Sequence, residues 1–201
     1  MSVETIDVHE NNPETKRKVL SFLFVDHSQR KQAEITRQIA ESNADTILLE
    51  LVGSPQETRD RVESAVNAAI SAKNLNDRIA YANGLSQGMR DLIWALAGSG
   101  KQIHFIDVAE NTPEYQLIRR ARSAREDNNY EQLFAESVAA REAVVEAQIN
   151  GWREAVPDSN ILVVMGAMHG RITDRFSGIG DVTYSEADLK EKAQQRLSIT
   201  Q

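Results

Sequence analysis

The sequence predicts an α/β protein with a mainly parallel central sheet, helices on both faces and a ligand site at the C-terminal ends of the strands. Two observations lead to this prediction. Continuous apolar runs, typical of buried strands, alternate along the chain with segments whose apolar residues recur at helical spacing. Helix-length connections between successive strands are crossovers, which make the strands parallel.

Four apolar runs and one shorter segment are predicted to form the strands, at 19–26, 45–52, 102–108, 160–166 and 182–184. Helices are predicted between them, at 29–42, from 55 onward, at 89–97, 113–125 and 131–155, and from 186. Pro55 and Pro113 suit the first turn of a helix, where no backbone N–H is needed as a donor. The pattern over 74–88 is less regular and predicts no definite element.

The length of 201 residues suits one ordinary domain. Residues 1–16 lack a sustained period and are predicted to be a flexible N-terminal arm, followed by a single α/β domain over 17–201. The chain has no cysteine, which excludes disulfides, thiolate metal sites and cysteine nucleophiles. Any metal ion would have to be held by histidine, carboxylate or amide side chains, or by water.

The formal net charge is −7, and an acidic surface repels phosphate backbones and anionic lipids. We therefore expect neither nucleic acid nor a membrane as partner, and instead a small-molecule or peptide substrate. The first residues contain no apolar segment typical of a signal peptide, and no run is long enough for a membrane helix. A cytoplasmic location is expected, and a homo-oligomer is left open.

Each of the four main predicted strands ends in an ionisable residue. Asp26 and His27 close the first strand, and Glu50 closes the second. Asp107 closes the third, and His169 follows the fourth. Because the C-terminal ends of parallel strands meet at one edge of a sheet, we expect these side chains to share a site. Two of the four histidines of the chain belong to this set.

The long helix predicted at 131–155 carries an arginine inside its apolar stripe. That stripe consists of Phe134, Val138, Val145, Ile149 and Trp152. Arg141 fills its one gap. A guanidinium that faces a core needs a carboxylate or a ligand anion, and Glu50 and Asp107 are the candidate partners. The alternatives are a purely structural salt bridge and a side chain that extends to the edge of the core.

An ordered set of motifs resembles the Tiki/TraB superfamily, which is related to the erythromycin esterases and the haem-binding ChaN proteins. The motifs are FLFVDH, TILLEL, HFIDV, the pair Arg141-Glu142 and GAMH at 166–169. Their order and spacing are similar from about Val19 to Gly170, roughly three quarters of the chain. The chain departs from the family in the first motif, where Phe24 and Val25 stand in the places of the usual glycine or Gly-Glu pair.

The resemblance implies a hydrolase that acts on an ester or a peptide bond. Its catalytic residues would be His27, Glu50, Asp107, Arg141 and His169. The alternative is a non-catalytic protein of the same fold, which either binds a ligand such as haem or acts through regulatory interactions. In that case the altered first motif would mark a site that has lost its activity.

Two chemical routes are open for such a hydrolase. In one, His27, Glu50 and His169, with Asp26 nearby, bind a divalent metal ion (Mn, Zn, Co or Fe) that acidifies a bound water. In the other, one histidine is the general base and a carboxylate fixes its tautomer. In the second route Arg141 stabilises an oxyanion or binds a substrate carboxylate.

Two further features are predicted to be structural. His104 lies inside the third strand and is interpreted as a core histidine with satisfied nitrogens. The basic segment over 119–125 is interpreted as a solvated helix face, with an anionic partner as the alternative.

Overall fold

The computed structural model describes residues 19–26, 32–51, 53–125, 128–186 and 188–198. The strands are β1 (Leu20–Val25), β2 (Thr46–Glu50), β3 (Gln102–Ile106), β4 (Ile161–Gly166) and β5 (Ile179–Tyr184). The helices are α1 (Gln32–Glu41), α2 (Gln56–Ser71), α3 (Leu75–Ala82), α4 (Gln87–Leu96), α5 (Pro113–Ser123), α6 (Tyr130–Ala155) and α7 (Leu189–Ser198). A 3₁₀ segment (Ala167–Arg175) follows β4 directly.

The five strands form one sheet in the order β3-β2-β4-β1-β5, and all of their pairings are parallel. One face packs against α1, α2 and α4 through Ile39, Ile70 and Ile93. The other face packs against α6, the 3₁₀ segment and α7 through Ile149, Ile172 and Leu189. This arrangement confirms the predicted α/β fold. Within the described ranges, no helix is long and apolar enough to cross a membrane.

The structure adds detail in three places. Helix α3 forms where the sequence predicted no definite element, and the Asn74 side chain caps it by accepting from the Asp77 N–H at 2.9 Å. The 3₁₀ segment was not predicted. Strand β5 begins earlier than predicted and includes Gly180, where a Cβ would lie 1.9 Å from Cγ1 of Val19. Glycine is needed there because any side chain would overlap the chain leading into β1.

The outer edge of β3 is covered by polar side chains of α2. The Asn67 side chain accepts from the Ile103 N–H at 2.8 Å and donates to the Ile103 carbonyl at 2.7 Å. Glu63 accepts from the Phe105 N–H at 2.8 Å. These contacts satisfy backbone N–H and C=O groups of β3 that would otherwise be available to another strand. They also hold β3, and with it Asp107 after its end, in position.

Helix α6 crosses the sheet edge beside β3. Its Trp152 stacks on His104 of β3, with ring centroids 3.7 Å apart, while Arg141 reaches Asp107 beyond the end of that strand. The 26 residues of α6 span about 39 Å, against about 17 Å for the five residues of β3. The N-terminal part of α6 therefore extends past the C-terminal edge of the sheet, where it packs against α5.

Candidate functional site at the C-terminal edge of the sheet

Arg141 lies between the carboxylates that end β2 and follow β3. Its Nη2 donates to Oε1 of Glu50 and to Oδ2 of Asp107, and its Nε donates to Oδ1 of Asp107 at 3.2 Å. The side chains of Arg141, Glu50 and Asp107 are 16%, 5% and 0% exposed. The gap in the apolar stripe of α6 thus brings the arginine to the two partners expected from the sequence.

Opposing effects act on the pKa of Arg141. Burial alone would lower this pKa, but the hydrogen bonds and charges of Asp107 and Glu50 outweigh burial and raise it. The guanidinium therefore stays charged, which its two buried partners require.

Asp107 has a strained backbone, with φ at +109° in a region that non-glycine residues rarely adopt. Its N–H donates to Oε1 of Gln148 at 2.7 Å, and its carbonyl accepts from Nη1 of Arg59 at 2.7 Å. Oδ1 also accepts from the N–H of Val108 at 2.6 Å. The strain persists because Arg59, Arg141 and Gln148 each hold a different part of the residue.

Arg59 and Gln148 were missed by sequence reasoning, although each leaves a signal. Gln148 lies seven residues after Arg141, on the same side of α6, and Arg59 lies three residues before Val62 in the apolar stripe of α2. Arg59 is 2% exposed, and its Nε and Nη2 have no hydrogen-bond partner within the described part of the chain. Burial lowers the pKa of Arg59, and the charge of Asp107 opposes that shift.

His169 lies at a kink in the 3₁₀ segment and is 3% exposed. Its Nε2 lies 3.9 Å from Oε1 of Glu50, and its Nδ1 lies 3.5 Å from Oε1 of Glu142. The N–H of Gly166, the last residue of β4, donates to the other oxygen of Glu50. Glu50 is thereby fixed against both Arg141 and the strand that leads to His169.

Glu142 is a buried carboxylate that the sequence interpretation did not place in the site. Its Oε2 lies 3.3 Å from Nη2 of Arg175, whose Nη1 donates to Glu146 at 2.8 Å. The hydrogen bond to Glu146 makes the largest contribution to the raised pKa of Arg175. The signal in the sequence was the acidic residue directly after Arg141, which on a helix points about 100° away from it.

His27 lies outside the described residues, and Asp26, at the end of β1, is exposed. The predicted metal set of His27, Glu50 and His169 with Asp26 therefore has one histidine that is not described. Among the described side chains, no group of histidines and carboxylates is arranged to hold a metal ion.

The chemistry of the described donors does not favour a divalent cation. Glu50 accepts from Arg141 and Gly166, while Asp107 accepts from Arg141 and Val108. Glu50 and Asp107 share the guanidinium of Arg141, and Glu142 lies beside that of Arg175. Carboxylate oxygens that already accept these hydrogen bonds are less available as ligands of a metal ion.

The two features interpreted as structural have the expected surroundings. His104 is mostly buried and places Nδ1 2.8 Å from Oε1 of Glu63 while stacking on Trp152. Arg119, Arg120 and Arg122 are exposed on α5, and Arg125 is exposed just beyond its C-terminal end.

Phe24, which stands where the motif resemblance expects a glycine, is fully buried. Its ring packs between those of Phe22 and Tyr184, with centroids 5.9 Å and 5.2 Å away. It belongs to the core on the α6 face of the sheet.

Comparisons with protein-family models, with curated proteins and with solved structures find no match for this chain. The resemblance to the Tiki/TraB superfamily accordingly remains a hypothesis that depends on the motifs themselves.

Proposed function

We propose that this chain is a hydrolase that cleaves an ester or peptide bond with a water molecule activated by a histidine. The observation that carries the proposal is the arrangement of His169, Glu50 and Arg141. An imidazole nitrogen and a carboxylate oxygen face each other across 3.9 Å, beside a guanidinium bound to that same carboxylate. This combination supplies a base, an orienting acceptor and a positive charge at one point.

The gap between Nε2 of His169 and Oε1 of Glu50 is too long for a direct hydrogen bond. A water molecule at about 2.8 Å from both atoms fits such a separation. Glu50 would accept a hydrogen bond from one O–H of this water and orient it, and that proton stays on the oxygen. Nε2 would take the proton of the other O–H as the water oxygen attacks the carbonyl carbon, and would then give it to the leaving group.

Arg141 supports the same step electrostatically. Its Nη1 makes no hydrogen bond to the described residues, and the side chain keeps 16% of its surface exposed. Nη1 can therefore donate to the carbonyl oxygen of a substrate as negative charge develops there. A fixed donor of this kind accelerates acyl transfer by about 10²–10³-fold. The Tiki/TraB resemblance would add His27 as a second imidazole.

The test is turnover of a panel of p-nitrophenyl esters and fluorogenic peptides, with EDTA and with added manganese, zinc, cobalt or iron(II). We expect turnover that survives EDTA and is lost in His27→Ala and His169→Ala, whose melting temperatures stay close to that of the wild type. His9→Ala, in the predicted arm, is the matched control and should keep full activity. Absence of turnover across the panel, or full activity in His169→Ala, would contradict the proposal.

A second candidate function is ligand binding without catalysis, and the position of Phe24 favours it. A family glycine would leave open space on the α6 face of β1, whereas this ring fills it. Haem is the probe to use, because the resemblance includes haem-binding proteins. A Soret band that saturates at one haem per chain, without turnover of any ester or peptide, would favour this function over the hydrolase.

A further inference from the structure

We propose that Glu142 and Arg175 form a positioning pair that keeps the proton of neutral His169 on Nδ1, so that Nε2 is the basic nitrogen. This inference rests on the proposed hydrolase function for its meaning, but its geometry is independent of any substrate. Neither residue touches the proposed reaction centre. They would act on it only through the imidazole.

The surroundings of Nδ1 leave one partner for it. This atom is inaccessible to water and makes no hydrogen bond of good geometry within the described chain. Oε1 of Glu142 lies 3.5 Å away, and an ionised carboxylate can only accept. A neutral imidazole carries one N–H, and a bare Nδ1 facing a carboxylate would leave two acceptors opposed in a buried site. The proton therefore belongs on Nδ1, and a small closing movement completes the hydrogen bond.

Nε2 is then left with a free lone pair on the side of Glu50. Direct contact between this lone pair and Oε1 of Glu50 is unfavourable because both are acceptors, which agrees with their separation of 3.9 Å. A water molecule that donates to both atoms resolves the conflict, and this is the water that the proposed hydrolysis consumes. The tautomer chosen by Glu142 thus determines whether Nε2 can act as a base.

Arg175 determines which oxygen of Glu142 remains available to the imidazole. Its Nη2 lies 3.3 Å from Oε2, which leaves Oε1 facing His169. His169 and Arg175 both belong to the 3₁₀ segment, so Glu142 contacts that segment at two points. Arg175 is held on its other side by Glu146, one helical turn further along α6. The pair thereby fixes both the charge and the position of the carboxylate.

The test measures the tautomer directly, by ¹⁵N NMR of histidine-labelled protein, with the His169 signals assigned from their loss in His169→Gln. For the neutral ring of the wild type, we expect the proton on Nδ1. In Glu142→Gln, whose amide can donate to Nδ1, we expect the proton to shift to Nε2. Glu136→Gln is the matched control, since Glu136 is exposed on α6 and its side chain accepts from Gln132 instead of Arg175, and it should leave the tautomer unchanged.

Activity provides the second measurement. With any substrate that the wild type hydrolyses, we expect Glu142→Gln to lower kcat about 10²-fold with little change in KM, and Glu136→Gln to change neither. A wild-type proton on Nε2, or an unchanged tautomer in Glu142→Gln, would overturn the inference. If Glu142→Gln does not fold, the position of the ring proton in the wild-type spectrum alone tests the inference. A wild type with the expected tautomer and no turnover would refute the hydrolase and leave the positioning pair intact.

Discussion

Arg141 and Glu142 are neighbours on α6 but act on opposite sides of one imidazole. Arg141 binds Glu50, which faces Nε2 of His169, whereas Glu142 faces Nδ1 of the same ring. Successive helical residues point about 100° apart, so a single turn of α6 supplies one residue to the strand ends and the other to the 3₁₀ segment. The position of this turn along α6 therefore places both Arg141 and Glu142 around His169.

Replacing Arg141 with methionine should strongly destabilise the fold. The variant keeps the packing of the side-chain stem but leaves Glu50 and Asp107 buried without their shared cation. The expected loss is about 3–5 kcal/mol in the free energy of unfolding, measured by urea denaturation. Arg37→Met, which removes an exposed arginine paired with Glu34 and Glu41, is the control and should have no measurable effect. Equal effects of the two substitutions would contradict this account.

The backbone strain at Asp107 can be tested by comparing alanine with glycine. Both substitutions remove the carboxylate, but only glycine adopts the φ of +109° without strain. Asp107→Gly should therefore be more stable than Asp107→Ala by about 1 kcal/mol in urea denaturation. Gln102 is an exposed residue of β3, and there the alanine variant should be more stable than the glycine variant because glycine weakens an extended strand. The same order at both positions would argue against strain.

The contact between Glu63 and His104 makes stability depend on pH. Burial alone would raise the pKa of Glu63, but the hydrogen bonds from His104 and the Phe105 N–H outweigh burial and lower it below 4.5. A carboxyl with a lowered pKa in the folded state stabilises the fold above its unfolded pKa, and this contribution is lost as the pH falls through the folded pKa. The stability difference between wild type and Glu63→Gln should therefore be largest near neutral pH and shrink below pH 4.5. Urea denaturation across this range measures it, and a constant difference would refute the linkage.

Gly180 of β5 lies so close to Val19, the residue before β1, that substitutions at these two positions should have coupled effects on stability. In Gly180→Ala the new methyl would overlap the Val19 side chain, since its carbon would lie 1.9 Å from Cγ1 of that valine, and a loss of about 1–3 kcal/mol is expected. Val19→Ala removes the overlapping methyl groups and should recover part of that loss in the double variant. Thermal or urea denaturation of the four proteins gives the coupling energy. Strict additivity would show that the two positions do not interact.

Much of the candidate site can be predicted from two regularities of the sequence: parallel strands align their C-terminal ends, and helices bury residues at a fixed spacing. Apolar runs ending in Glu50 and Asp107, and a late Gly-x-x-His, are local signals that parallel topology brings to one edge. Arg141 could be predicted because a charge inside an apolar stripe stands out. These signals required no knowledge of side-chain contacts, because parallel strands align their ends.

The remaining site residues leave only weak signals in the local pattern. Gln148 and Glu142 are polar residues on a helix that has many, and only the packing of α6 against β3 and the 3₁₀ segment distinguishes them. The positive φ of Asp107 arises from tertiary hydrogen bonds that leave no trace in the sequence. Helix α3 has only eight residues, so its periodicity is short, although its Asn74 cap was a usable signal.

The side chains of α2 make the two rims of the sheet unequal. A strand from another molecule that approached β3 would have to displace three hydrogen bonds from Asn67 and Glu63. At the opposite rim, β5 is the last strand, and most of its residues are exposed. Among the described residues, the addition of a strand from another copy is therefore opposed most directly at the rim nearest Arg141 and its carboxylates.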